Sequence, residues 1–280
     1  MRSVCIVAIL LAASLGVVRS QTAATPAFAV VSVKQNTSTD SRRFGPQFSG
    51  GRFMATNYSL LSLISTAWNL PFQGPVLTGG PNWIRSDRYD IEARAEEGAL
   101  PPDLSPQALA ERRRSMLREL LTDRFHLDIR REEKELPVYA VVVAAGGPKL
   151  ERSKIEEKDC PDDLTDYGVS CHSFAGGRGR GLHGQAVDIS DLARYVENWT
   201  DRPVVDQTGL KGLYHIETTG WQEIAPGPPP SPGAKAEDGT DASDVPTIFE
   251  IFNRLGLKLE SKKASVDMFR IEHVDRPSEN

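Results

Sequence analysis

The sequence predicts an α+β protein made of two tandem copies of one helix-on-antiparallel-sheet unit. Three observations carry this expectation. Two short amphipathic helices show the same apolar stripe, each is followed by a strand in which Tyr and Ile alternate with polar residues, and two strand segments recur at a constant spacing of 130 residues.

The helices come first. Behind Ser59, the residues Leu60, Leu63, Ile64 and Ala67 fall at i, i+3, i+4 and i+7; behind Asp188, Ile189, Leu192, Ala193 and Val196 do the same. Ser and Asp suit the N-cap because their side-chain oxygens accept the free amides of the first turn. The first helix runs out at Pro71 and the second at Pro203, each followed by turn residues, Gly79-Gly80-Pro81 and Thr208-Gly209. Extended runs follow at 88–92 (RYDIE) and 213–217 (LYHIE). A Pro-bearing loop comes next in both places, 96–106 and the longer 222–244 with Pro228-Pro229-Pro230, and then a second helical stretch, 107–123 and 247–253.

After these helices the spacing is fixed. Residues 123–129 lie over 253–259, and Leu136, Val138, Tyr139 and Val141 lie over Val266, Met268, Phe269 and Ile271. The units are therefore residues 52–145 and 184–274. A strand at 27–34 and a polar loop fill 21–51, a Gly-rich connector with a Cys pair spans 146–183, a Pro-rich insert occupies 222–245, and 275–280 is a tail. Each unit is short of apolar mass for a large core of its own, so the halves are expected to pack together.

Composition narrows the class further. The chain has 280 residues, 39% hydrophobic and 25% charged, which fits a folded domain and excludes collagen, coiled coil and a multi-span membrane protein. The formal charge of -5, with 33 Lys and Arg scattered along the chain, gives no electrostatic case for nucleic acid as a partner. Residues 1–20 read as a cleaved export signal: Arg2 gives a positive start, 4–18 is an apolar run, and Val18 and Ser20 precede Gln21 at the -3 and -1 positions. A retained anchor is the other reading, but a bilayer needs about 20 apolar residues and this run is shorter. Cleavage removes Arg2 and Arg19 and no acid, which takes the formal charge to -7 and leaves no integral membrane span.

Export places the mature chain outside the cytoplasm, in the periplasm or secreted, and changes what the cysteines mean. Cys5 leaves with the signal, and Cys160 and Cys171 remain as an even pair in an oxidising compartment, where a disulfide is the economical reading. The alternative is a reactive thiol at Cys171 beside His172.

Several segments together resemble a known family. They include 28–33 (FAVVSV), 51–57 (GRFMATN), 79–83 (GGPNW), 87–92 (DRYDIE), 136–139 (LPVY), 146–150 (GGPKL), 202–206 (RPVVD), 208–210 (TGL) and the closing 275–280 (DRPSEN). In that order they are similar to an acidobacterial family of exported domains of unknown function, and the resemblance covers nearly the whole mature chain. Some members accompany or are fused to BlaR-type sensor metallopeptidases, so a sensor metallopeptidase is an implied partner. The resemblance brings no catalytic residue with it.

The residues give no chemistry of their own. His-Glu-x-x-His, Gly-x-Ser-x-Gly, a Walker loop and Cys-x-x-Cys pairs are missing from the sequence, and no cofactor is implied. His126 and Asp128, alternating on one strand, offer two metal ligands where zinc needs three or four, so no metal site is assigned. His215, like His126, is read as a surface residue. The segment Gly176–Gly184 contains Gly-x-Gly-x-x-Gly, and Arg178, Gly179, Arg180 and Gly181 form a candidate anion site, although a linker between the two units is the expected reading because the strand-then-helix context is poor. Asp159, Asp162, Asp163 and Asp166 read as a solvated turn, and Trp68, Trp83 and Trp199 as core. Two functional readings remain: a non-enzymatic binding or interaction module of the cell envelope, contacting an envelope protein or small ligand through sheet edges or the cleft between units; and a hydrolytic enzyme with its site in that cleft, built from carboxylates and His126 or His215.

Overall fold

The computed structural model describes residues 26–160, 171–222 and 245–277. The segment read as an export signal, Asp162, Asp163, Asp166 and most of the Pro-rich insert lie outside the described residues. Among the described residues no helix is long and apolar enough to cross a membrane.

The chain is α+β. Its front half holds β1 (Phe28–Gln35), β2 (Phe44–Ser49), β3 (Arg52–Ser59), α1 (Leu60–Trp68), β4 (Leu77–Gly79), α2 (Trp83–Ser86), β5 (Arg88–Ala95), α3 (Pro106–Phe125) and β6 (Asp128–Val143). Its back half holds β7 (Glu151–Arg152), β8 (Ala175–Gly177), β9 (Gly181–Val187), α4 (Ile189–Val196), β10 (Val204–Asp206), β11 (Tyr214–Glu217), α5 (Ile248–Arg254) and β12 (Leu257–His273). The predicted caps Ser59 and Asp188 are present, and α3 and α5 are capped as well. Ser59 accepts from the Ser62 amide, Ser105 from Ala108, and both Asp188 and Thr247 form reciprocal capping boxes with the third residue of their helices.

Three four-stranded sheets result, in the orders β1-β5-β3-β2, β10-β6-β12-β4 and β7-β11-β9-β8. The first and third are antiparallel, and each lies against one core. Phe53, Tyr89 and Ile91 meet Leu63 and Ile64 of α1 and Leu117, Leu121 and Phe125 of α3 in the front core. Leu182, Val187, Tyr214 and Ile216 meet Leu192 and Val196 of α4 and Ile248, Ile251 and Phe252 of α5 in the back core.

The second sheet joins the cores. β6 and β12 pair antiparallel over nearly their whole length, from Leu257 opposite Val143 to Ile271 opposite Ile129. One end of this ribbon buries Tyr139, Val141, Leu257 and Leu259 in the back core, and the other places Ile129 and Ile271 at the front core. Its middle is polar and exposed, with Arg131 bound to Asp267 at 2.6 Å and Glu133 accepting from Ser265. Glu135 faces Ser265 at the centre, and these two positions are themselves 130 apart. The short strands attach reciprocally. β4 of the front half runs parallel to β12 with Leu77 opposite Phe269, while β10 of the back half runs parallel to β6 with Val204 opposite Tyr139. Tyr139 and Phe269 are also 130 apart.

Several expectations need correction. The sheets are not all antiparallel: β4 and β10 each add in parallel to a strand of the other half. The two strand segments expected at the end of each unit are one continuous strand, and the first of them begins inside α3, whose hydrophobic residue Phe125 belongs to the helix. The polar stretch 35–51 contains β2. Part of the Gly-rich connector is ordered as the β8–β9 hairpin.

Candidate functional site

The densest group of ionisable side chains sits where the disulfide meets the start of α4. Cys160 and Cys171 are bonded, with Cα atoms 5.7 Å apart. Cys171 then bridges to Ala186, and the His172 amide donates to the Ala186 carbonyl at 2.8 Å, which lays the segment beside β9. His172 adopts a left-handed backbone, φ 54°, uncommon for a residue with a Cβ, and this turns its ring away from the strand toward α4.

There the ring bridges two carboxylates. Nδ1 lies 2.6 Å from Asp191 Oδ2 and Nε2 lies 3.1 Å from Glu157 Oε1. Asp191 is buried and fully engaged: its Oδ2 also accepts from the Asp188 amide, and its Oδ1 accepts from Arg194 at 2.8 Å. Asp188 in turn accepts from the Asp191 amide at 2.7 Å. Arg194 continues across the molecule to Asn69 Oδ1, the C-cap of α1, so the group reaches the front half.

The charges follow from these contacts. The hydrogen bond to Asp191, reinforced by the negative charge of Asp191 and by Glu157, outweighs burial and raises His172 to about 9, so the imidazole is cationic at neutral pH. Burial works to raise Asp191, but His172 and Arg194 hold it below the usual carboxylate range. Asp188 is pushed up by burial and by the neighbouring Asp191 charge. Chemically this is an imidazolium clamped between carboxylates. The sulfur beside it is tied up in the disulfide, so the thiol reading of Cys171 does not describe this state.

A second ionisable group lies at the other end of α4. Glu197 is 5% exposed; its Oε2 accepts from the Val204 amide at 3.1 Å, and Oε1 is buried without a hydrogen-bond partner among the described residues. Oε1 faces Pro71 and Gly74 of the front half, where even a Cβ on Gly74 would approach to 2.7 Å. Burial pushes this carboxyl up to about 7.

The sequence-predicted residues are dispersed. Arg178, Gly179 and Arg180 make the turn of the β8–β9 hairpin and Gly181 opens β9, so a strand rather than a helix follows the turn. Their glycines admit close backbone approach: a Cβ on Gly181 would meet the Thr218 carbonyl, and the Arg178 carbonyl accepts from the Trp221 amide at 2.6 Å. His126 is not on a strand with Asp128; it is the left-handed C-cap of α3 and lies 3.4 Å from Asp275, which also meets His273 at 3.2 Å. His215, half-buried on β11, pairs in register with Glu151. Trp68 and Trp83 pack at the front core under Arg118 and Arg276, and Trp199 packs edge-on against Tyr195 and Trp221. Sequence reading missed Asp191 and Glu197. The first was legible as an acid three residues after an N-cap; the second had no local signal.

Residues 61–274 match the family described as a protein of unknown function, DUF3738. The chain belongs to that family. No curated protein and no solved structure matches it. The family match begins in α1 and ends just after β12, so it takes in both cores, the ribbon and the disulfide-anchored group, and leaves β1, β2 and β3 ahead of it.

Proposed function

We propose that this DUF3738 chain is an exported, non-enzymatic binding module of the cell envelope, built by tandem duplication of the unit that recurs in residues 52–145 and 184–274. The reading of export rests on residues 1–20 and on the disulfide, which suits an oxidising compartment. The reading of duplication rests on the reciprocal attachment of β4 and β10 to a ribbon centred on Glu135 and Ser265.

The observation that carries the binding reading is where apolar side chains are left in solvent. Val30 is 63% and Phe44 is 46% exposed, and they sit on β1 and β2, the two outer strands of the first sheet. An outer strand offers unpaired amides and carbonyls, and an exposed apolar side chain beside them is the usual recognition surface for an added extended segment. The occupant proposed is an extended segment of an envelope protein, with a sensor metallopeptidase as the first candidate.

The test is photo-crosslinking from positions beside Val30 and Phe44 in envelope extract, compared with Val30→Lys and Phe44→Lys variants. The account expects a defined crosslinked partner that both substitutions reduce while the thermal transition stays unchanged. A crosslinking pattern identical in wild type and both variants would remove the sheet edges as the contact surface.

A further inference from the structure

We propose that the Cys160–Cys171 bridge is the closed form of a redox-gated site for a zinc-type divalent metal, whose ligands after reduction are Cys160 Sγ, Cys171 Sγ, His172 Nε2 and a Glu157 carboxylate oxygen. Convergence is the first argument. Ligand atoms of Glu157, Cys160 and His172 all lie within 4.8 Å of one another, and Cys171 Sγ is bonded to Cys160 Sγ. In a tetrahedral site with metal–sulfur distances of about 2.3 Å and metal–nitrogen distances of about 2.0 Å, neighbouring ligand atoms stand roughly 3 to 4 Å apart. Opening the S–S bond therefore requires the two sulfurs to separate by less than the width of a side chain.

The second argument is the support behind the imidazole. A metal-bound histidine characteristically donates its other N–H to a carboxylate, which fixes tautomer and ring orientation. His172 already has this arrangement: Nδ1 meets buried Asp191 at 2.6 Å, and Asp191 is held by Arg194 and by the first turn of α4. Nε2 is thereby directed to the side where Glu157 and the sulfurs lie. The left-handed backbone at His172 maintains that direction. Thiolate, imidazole and carboxylate together form a borderline-soft set that suits zinc better than calcium or magnesium.

The chemistry balances simply. A dithiol reductant donates two electrons and two protons to the disulfide and becomes a disulfide itself. The metal then binds as the two thiols release their protons and the imidazolium releases the one on Nε2, with Glu157 exchanging its hydrogen bond to the ring for the metal. A disulfide oxidant then takes two electrons from the thiolates and two protons from solvent, becomes a dithiol, and the bridge closes and expels the ion.

Cobalt(II) is the probe, because thiolate ligation gives an intense near-ultraviolet charge-transfer band and tetrahedral geometry a visible one. The mature protein is titrated with cobalt(II) in the oxidised form and after reduction by a phosphine, with circular dichroism recorded at each step. The proposal expects one cobalt ion per chain with both bands in the reduced protein and neither band in the oxidised protein. Cys171→Ser should weaken the charge-transfer band to about half, and His172→Gln should lower affinity by at least about tenfold. A reduced, folded protein without the charge-transfer band would overturn the site. So would an unchanged affinity in His172→Gln, or unfolding on reduction that cobalt does not reverse.

Discussion

The two ends of α1 and α4 occupy matching places in the two halves and carry opposite chemistry. Before α1 stands Ser59, a neutral cap whose hydroxyl meets Ser62; before α4 stands Asp188, in a capping box with Asp191 that also holds His172 and Arg194. After the apolar stripe the front helix ends on Trp68, which packs at the front core, and the back helix runs into Glu197, a buried carboxylate. The apolar stripes themselves are alike: Leu60 and Leu63 are fully buried, as are Ile189 and Leu192. The two helices thus bury similar stripes while their ends differ, and the back half gathers the His172 cluster and the disulfide.

The sharpest way to break that comparison is at the helix starts. Asp191→Ala leaves His172 and Arg194 facing a vacated, buried site and is expected to cost about 3 to 5 kcal/mol. Ser59→Ala removes one cap hydrogen bond and is expected to cost about 1 kcal/mol. Urea unfolding of the two variants measures the difference, and equal losses would show that the back cluster is no more than a cap. Next come the stripes. Leu63→Ala and Leu192→Ala should each cost about 2 to 5 kcal/mol, since each empties a fully buried site. A loss below about 1 kcal/mol at only one of them would mean that the helices do not play equivalent parts.

Glu197 sharpens the contrast through pH. Its carboxyl titrates near 4.5 when unfolded and near 7 when folded, so both states are protonated below pH 4.5 and the full contribution is present there. As pH rises the unfolded state ionises first, and stability falls by about 3 kcal/mol between pH 4.5 and 7, then levels off. Glu197→Gln should flatten that window in a pH series of thermal unfolding. His172 adds a later fall: its contribution is complete below pH 6.5 and disappears as pH rises through about 9, reduced in size because 36% of the side chain is in water. A His172→Gln variant that still loses stability between pH 6.5 and 9 would contradict the clamp. The smallest effect belongs to the sheet edge, where Val30→Lys should change stability by no more than about 0.5 kcal/mol.

The parts legible in the sequence were those written in local patterns. The stripes at Leu60–Ala67 and Ile189–Val196, their caps, and the Tyr/Ile alternation at 89–91 and 214–216 each depend on neighbours a few residues away, and they became α1, α4, β5 and β11. Long-range pairing was hidden. Nothing near Leu77 or Val204 says that each joins a strand more than sixty residues away in the chain, because a parallel edge strand only three residues long has too few positions to show a pattern. The site was half visible. An even cysteine pair points to the bridge, but nothing in the sequence near His172 marks the left-handed backbone that sends its ring to an aspartate nineteen residues on. Glu197 had no signal, since a carboxylate after a helix is ordinarily a surface residue and its burial comes from Pro71 and Gly74 of the other half.

The interlock of the halves is tested most directly by fragment complementation. Residues 26–145 and 146–277 are produced separately, and circular dichroism and thermal unfolding are followed for each alone and for an equimolar mixture. Because β4 needs β12 and β10 needs β6, each fragment alone should lack a cooperative transition, and mixing should restore one in a 1:1 complex. A native-like cooperative transition in either fragment by itself would contradict the interlock.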